Sequence, residues 1–285
     1  MRKAATTGKA AQLGTPLDRA YNMPAMPSTP QPISSAARKL PSDLTIGLIL
    51  ASLLAVPLLC AQSDIPPPNL AKLVAHRESE TIAERNEYTY RQTVTVQELD
   101  GNGSARGEYK EVRDIVFSPT HERSEDLIGK PSNGLKSLKM TEEDFRDIRE
   151  IQPLTLTEEQ LWNYDTKFRG DETMDDVDCW VLQIKPRQIL DGQRFFDGLL
   201  WVDKRDYNIV RLQGQAVPQI RSMAQENLFP RFTTIRKALD GKHWFAIVTY
   251  ADDTLQFRGG PIREKLTIAY SSYKRFSATS TFTVK

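Results

Sequence analysis

The residues of this chain equipped for nucleophilic, acid–base or metal chemistry are two cysteines, three histidines and several clusters of carboxylates. Cys179 lies between Asp178 and Trp180 in an apolar stretch. There a thiol serves as a small buried side chain, not as a nucleophile beside a base. His76, His121 and His243 are far apart, and neither H-E-x-x-H nor C-x-x-C occurs, so no local metal-ligand spacing is present. The segment "DGNGSARGEYKE" matches a calcium loop at Asp100, Asn102 and Glu111, with Ser104 as a weaker oxygen. Ala105 stands where the sharp bend needs glycine, and strand patterns flank the segment, so it reads as a hairpin loop. Asp171, Glu172, Asp175, Asp176 and Asp178 crowd into "DETMDDVD", a solvated turn. Glu142 and Glu143 are acids at a helix start, favoured by the helix dipole. No G-x-S-x-G or P-loop occurs. These residues imply no enzyme, no cofactor and no metal.

The elements around them begin with an export signal. "LTIGLILASLLAVPLLCA", residues 44–61, carries no charge and follows Arg2, Lys3, Lys9, Arg19, Arg38 and Lys39, against only Asp18 and Asp43. A basic lead, an apolar stretch and small residues at its end describe a signal peptide, with cleavage expected after Ala61. The alternatives are lipidation at Cys60 and an uncleaved membrane anchor with its basic side in the cytoplasm. Residues 1–43, rich in Ala, Ser, Thr and Pro, read as a disordered leader, and Met23 or Met26 is an alternative start. The expected location is periplasmic, with inner-membrane anchoring through residues 44–61 as the alternative. The chain has 38 basic and 37 acidic residues; removing six basic and two acidic ones with residues 1–61 leaves a net charge of −3. A slightly acidic body argues against nucleic acid, which requires a basic stripe. Only Cys179 remains, so no intrachain disulfide holds the fold.

Residues 62–86 read as a linker, "IPPPNL", and an amphipathic helix over 70–85 capped at Asn69. The period then changes to two. Tyr88, Tyr90, Val94 and Val96 share one strand face, and "EYKEVRDIVF" returns as the partner of a hairpin. Thr141 to Asp144 and Thr157 to Gln160 open two short helices, the second in capping-box form. From Tyr164 some eight strands follow one another as a meander. The expected fold is therefore α+β and β-rich. Residues 87–285 form one large curled antiparallel sheet, a half-open barrel, with the N-terminal and mid-chain helices packed over its concave face. Two strand regions are apolar on both faces. In "FFDGLLWVDKRDYNIVRLQGQAV", Phe196, Leu200 and Val202 oppose Phe195, Leu199 and Trp201; in "WFAIVTY", Trp244, Ala246, Val248 and Tyr250 oppose Phe245 and Ile247. Either the second face belongs to ordinary core or it lines a greasy cavity.

"VDCWVLQIKPR", "FFDGLLWVDKRDYNIVRLQGQAV" and "KLTIAYSSYKRF" together resemble the LolA/LolB-like superfamily of periplasmic lipoprotein carriers and outer-membrane lipoprotein-sorting proteins. The shared pattern is an apolar strand ending in Lys-Pro, a G-x-x-W-V-D strand, a charged turn and an I-V-R strand, within Tyr88 to Phe276. The resemblance implies an incomplete β-barrel wrapped round helices, with a hydrophobic cavity that receives acyl chains and performs no chemistry. Candidate lining residues are Tyr88, Tyr90, Phe117, Trp162, Phe196, Leu200, Trp201, Trp244 and Phe245, with Arg91 and Arg211 as headgroup contacts. The expected function is an exported, non-catalytic carrier of lipid or lipoprotein acyl chains. The alternative is an envelope-tethered module with a filled core that binds a partner protein.

Overall fold

The computed structural model describes residues 65–118, 120–154, 156–219, 231–257 and 259–275. The leader, residues 44–61 with Cys60, and Phe276 lie outside the described residues. Helix α1 (Leu70–Arg85) has the expected bounds, and Asn69 holds the N-cap position without a side-chain cap bond. Then come the hairpin β1 (Tyr88–Leu99) and β2 (Ala105–Phe117), short strands β3 (Arg123–Leu127) and β4 (Ser132–Asn133), and α2 (Glu142–Glu150). A 3-10 helix (Gln160–Asn163) leads into β5 (Tyr164–Met174), β6 (Val177–Pro186), β7 (Phe195–Asp203) and β8 (Ile209–Val217). The last three strands are β9 (Phe232–Ala238), β10 (Trp244–Phe257) and β11 (Gly260–Arg275).

The eleven strands of the described residues form one open antiparallel sheet in the order β3-β2-β1-β11-β10-β9-β8-β7-β6-β5, with β4 also on β2. The meander β5 to β11 is continuous, and the N-terminal hairpin extends it by pairing β1 with β11. Among the described residues seven strands, not eight, run from Tyr164 onward. "WFAIVTY" and "DTLQF" are one strand, because Ala251, Asp252 and Asp253 continue the ladder opposite Leu266, Lys265 and Glu264. A flat row of ten strands would span roughly 45 Å. Yet one buried cluster joins Tyr109 and Phe117 of β2 to Trp180 and Leu182 of β6, so the sheet curls around its helices.

The helices follow from their caps. At α2 the capping box is Thr141 with Asp144: the Asp144 N–H donates to Thr141 Oγ1 and the Thr141 N–H to Asp144 Oδ2. The expected second box is only half made. The Gln160 N–H donates to Thr157 Oγ1, and a 3-10 turn follows in place of an α-helix. Helix α2 bridges two distant parts of the sheet. Phe145 meets Tyr109 of β2 edge-on at 6.2 Å, while the buried Asp147 is paired with Arg194, just before β7.

The doubled apolar face of β7 also has a structural answer. Phe196, Leu200 and Val202 join the main cluster, and Phe195 joins it too, against Tyr164. Trp201 faces the other way, into a small outer cluster with Cys179, Val181 and Val210. Its indole N–H donates to Glu172 Oε2, and Arg211 lies over its ring at 4.7 Å. Burial pushes the Cys179 thiol up to about 12, which keeps it un-ionised and inert. Asp100 Oδ1 accepts from the N–H groups of Asn102 and Ser104, so the calcium-like segment is a self-capped hairpin loop.

Gly198 and Gly214 face each other across β7 and β8. A Cβ on either would meet Phe196 Cζ at 2.6 Å, as well as backbone. Gly214→Ala is therefore expected to lower stability by about 1–3 kcal/mol. Urea unfolding of the variant beside the wild type measures this directly.

Candidate functional site

The underside of α1 changes character along its length. Leu70, Val74 and Ala75 are buried in its first half; in its second half the buried residues are Glu78 and Thr81. Positions 70, 74, 78, 81 and 85 form one helical stripe, so the face that begins apolar continues as Glu78, Thr81 and Arg85. Below this polar half lies an aromatic floor. Tyr88 and Tyr90 come from β1, Phe245 from β10, and Tyr270 and Tyr273 from β11. Tyr90 and Tyr273 stack at 5.1 Å, Phe245 and Tyr273 at 5.4 Å, and Tyr88 tilts against Phe245 at 5.0 Å.

Two bulges assemble this floor. Between Thr89 and Arg91 the β1–β11 register shifts. Ser272, with φ 56°, sits in that irregularity and turns Tyr273 toward the same cleft as Tyr270. A second bulge between Ala246 and Val248 breaks the alternation of β10, so Phe245 is buried and Ala246 packs on the main cluster. The expected two-faced pattern of "WFAIVTY" does not hold through this bulge, because the extra residue resets which side chains point inward. Burial raises the Tyr270 hydroxyl to about 12 and that of Tyr273 well above its ordinary value, so both stay protonated.

Helix and floor meet without filling each other's needs. Glu78 Oε2, Thr81 Oγ1 and Arg85 Nε are buried without a hydrogen-bond partner. Each such atom costs about 1–3 kcal/mol. Between α1, Pro153 and the floor remains a cavity of about 20 Å³, lined by Glu78, Thr81, Tyr90, Phe245, Tyr270 and Tyr273 among others. That is room for about one water. The helix is held instead by polar clasps. Glu78 Oε1 accepts from the buried Arg236 at 2.7 Å, and Arg236 also donates to the carbonyls of Pro153 and Leu154. Arg77 donates to Asn208 Oδ1 at 3.2 Å and to the Lys242 carbonyl at 3.0 Å.

At the C-terminal end of α1, Glu84 meets Asp240 and His243 from the turn between β9 and β10. His243 Nδ1 lies 2.7 Å from Asp240 Oδ2. Burial pushes the Asp240 carboxyl up. The His243 ring and the N–H groups of His243 and Lys242 outweigh that and hold it well below the usual carboxylate range. Among the described residues this is the His–carboxylate set able to hold a metal ion.

Of the residues expected to line a cavity, the structure brings Tyr90, Trp244 and Phe245 to this cleft, with Tyr88 against Phe245. Trp244 sits at its edge and also touches the outer cluster. Phe117, Phe196 and Leu200 are in the main core, away from the cleft lining. Trp162 is 77% exposed in the 3-10 turn, and Trp201 is on the opposite face. Arg91 is paired with Asp114 at 2.7 Å, and Arg211 covers Trp201; neither lines the cleft. Tyr270, Tyr273, Glu78, Thr81 and Arg236 were not expected. The stripe spacing of α1 carried the signal for two of them, and "AYSSYKR" for the tyrosines.

No protein-family model and no curated protein match the sequence. Solved structures do. A DUF1329 family protein from Desulfovibrio piger is 13% identical, with 76% of this chain and 96% of that chain covered at a TM-score of 0.40. An outer membrane lipoprotein-sorting protein domain from Vibrio parahaemolyticus is 12% identical, covering 71% and 92% at 0.32. A LolA superfamily protein from Nitrosomonas europaea is 14% identical, covering 70% and 93% at 0.30. These are likenesses of fold. The open antiparallel sheet with helices on one face agrees with the incomplete barrel wrapped round helices that the strand motifs imply. Among the described residues, no helix is long and apolar enough to cross a membrane.

Proposed function

We propose that this protein is an exported, non-catalytic carrier that holds the acyl chains of a lipid or lipoprotein on the aromatic floor beneath α1. The support for this reading is a helix whose underside buries unpartnered polar atoms directly over a stacked aromatic surface, with a water-sized gap between them. An apolar floor of this size needs a cover, and α1 supplies one at the cost of buried polar atoms. When α1 lifts, those atoms regain water and the floor becomes available to an apolar ligand. Each methylene then buried contributes about 0.8 kcal/mol, so one acyl chain gives useful affinity without polar specificity. The signal-like residues 44–61 support export, and the resemblance of the strand motifs to lipoprotein carriers agrees with the reading.

The test is native mass spectrometry of the protein purified from its own envelope fraction, followed by organic extraction. The expected result is a stoichiometric lipid adduct that Tyr90→Lys removes and Trp201→Lys, on the opposite face, leaves in place. A clean mass, unchanged after incubation with envelope lipids, contradicts the carrier reading. It would leave the protein-binding module as the reading to pursue.

A further inference from the structure

A carboxylate at the end of α1 and an acid–imidazole pair in the β9–β10 turn converge at the rim of the cleft. One ligand atom from each of Glu84, Asp240 and His243 lies within 4.8 Å of the others. We propose that these three side chains bind a divalent transition-metal ion of the zinc type, and that the ion fastens the end of α1 to the sheet. The donor set is right for it. One imidazole and two carboxylates suit zinc, and their two negative charges balance a dication. Ligands about 2.1 Å from a tetrahedral ion stand roughly 3.4 Å apart. Glu84 therefore needs to draw in by only about 1 Å, while His243 Nδ1 and Asp240 Oδ2, hydrogen-bonded at 2.7 Å, give up that bond and part by less than about 1 Å.

The set is preorganised on its sheet side. Asp240 Oδ1 accepts the N–H groups of Lys242 at 3.0 Å and His243 at 2.7 Å, which fixes the carboxylate. Its Oδ2 is left facing His243 Nδ1 at 2.7 Å and the Tyr88 hydroxyl at 3.3 Å. The His243 ring is buried and stacked at 6.4 Å from Phe245, so it cannot swing out to solvent. Such fixed outer partners orient metal ligands and raise their affinity.

The fourth coordination position opens on a cleft of about 510 Å³ that a second imidazole, His121, also lines. His121 stands in the turn between β2 and β3 with φ 62°. Glu80 and Glu87 add negative charge along the same cleft, and Arg77, Lys242 and Arg275 add positive charge. Arg77 is committed to Glu80 at 2.8 Å. Arg275 lies 3.2 Å from Glu84 Oε1, but its side chain is 60% exposed and free to leave when an ion takes that oxygen. The sequence offers no local motif for this site, because its ligands span residues 84 to 243.

The full chain, stripped of metal, is titrated with zinc by calorimetry, and cobalt is then used for its visible absorption. We expect one zinc per chain with a dissociation constant of micromolar order, a cobalt spectrum of a four-coordinate site, and a raised melting temperature in zinc. Glu84→Gln and Asp240→Asn should each weaken binding by at least about tenfold, the loss expected even for an outer-shell partner. Both remove charge with little change of shape, and their melting without zinc shows that they fold. His121→Ala should weaken binding less. Absence of saturable one-to-one binding at about 0.1 mM zinc overturns the proposal. So does zinc binding that Glu84→Gln and Asp240→Asn leave unchanged, which places the ion elsewhere.

Discussion

Glu78→Ala should cost about 3–5 kcal/mol of folding stability. The carboxylate it removes is almost fully buried, and so is its partner Arg236. The guanidinium would keep only the carbonyls of Pro153 and Leu154, which bear no compensating charge. An uncompensated buried charge is far costlier than the pair itself is valuable. For that reason Glu78→Leu combined with Arg236→Met should be neutral or more stable than the wild type, by up to about 4 kcal/mol. Urea unfolding of the two variants separates these outcomes. A small loss in Glu78→Ala would mean that α1 is not held by this pair. The double variant carries a second expectation. With an apolar underside, α1 should seat permanently on the aromatic floor, and lipid uptake should slow. The protein would then have given up stability to keep its cover removable.

Glu264→Gln should stabilise the protein at neutral pH, and the gain should fade toward pH 4. Glu264 lies on the core face of β11, fully buried, opposite Glu98 on β1 and Asp253 on β10. Neither of its side-chain oxygens has a hydrogen-bond partner. Burial, joined by the charges of Asp144, Asp253 and Asp252, raises its carboxyl well above the ordinary value. Glu98 is equally buried yet accepts three backbone N–H groups, from Lys136, Ser137 and Leu138, and lies 3.3 Å from Arg106. The sign follows from where Glu264 holds its proton. Below its unfolded pKa both states are protonated, and Glu264 does not set them apart. As pH rises past that value the unfolded chain releases the proton while the folded chain retains it, so stability falls until the folded pKa is reached. Glutamine removes this term. The expected gain near pH 7.5 is about 1–3 kcal/mol, measured by denaturant unfolding at pH 7.5 and pH 4.5. Carboxylates held low, such as Asp114 beside Arg91, make stability fall with acid instead. Only the difference between variant and wild type isolates Glu264. An equal gain at both pH values would contradict a raised carboxyl.

The architecture was legible because its signals are local. The period-two run at Tyr88–Leu99 fixes a strand and its faces, the apolar run at Phe195–Asp203 fixes a strand, and α1 begins and ends at its expected residues. What escaped the sequence depends on irregularity or on distance. The bulges at Ala246–Val248 and near Ser272 reset the alternation that face assignment relies on, which hid Tyr273 and brought Trp244 and Phe245, read as opposite faces, to one cleft. "WFAIVTY" and "DTLQF" read as two separate apolar runs, yet Ala251, Asp252 and Asp253 continue one ladder between them. Trp201 looked like a cavity residue because its face is apolar. In the structure that face is closed by its own neighbours and by Arg211. Glu78 and Thr81 occupy the buried stripe of α1, but polar residues at such positions are normally read as the solvent side.

Photo-crosslinking locates an apolar ligand on the floor under α1. The purified protein is loaded with a phospholipid carrying a diazirine on its acyl chain, irradiated, digested and mapped by mass spectrometry. Labels are expected on Tyr90, Phe245 and Tyr273 and on the underside of α1 near Thr81. Less labelling is expected when Glu78→Leu with Arg236→Met seats the helix. Labels confined to the outer cluster around Trp201, or no labelling above that of an unrelated protein, would contradict a ligand on that floor.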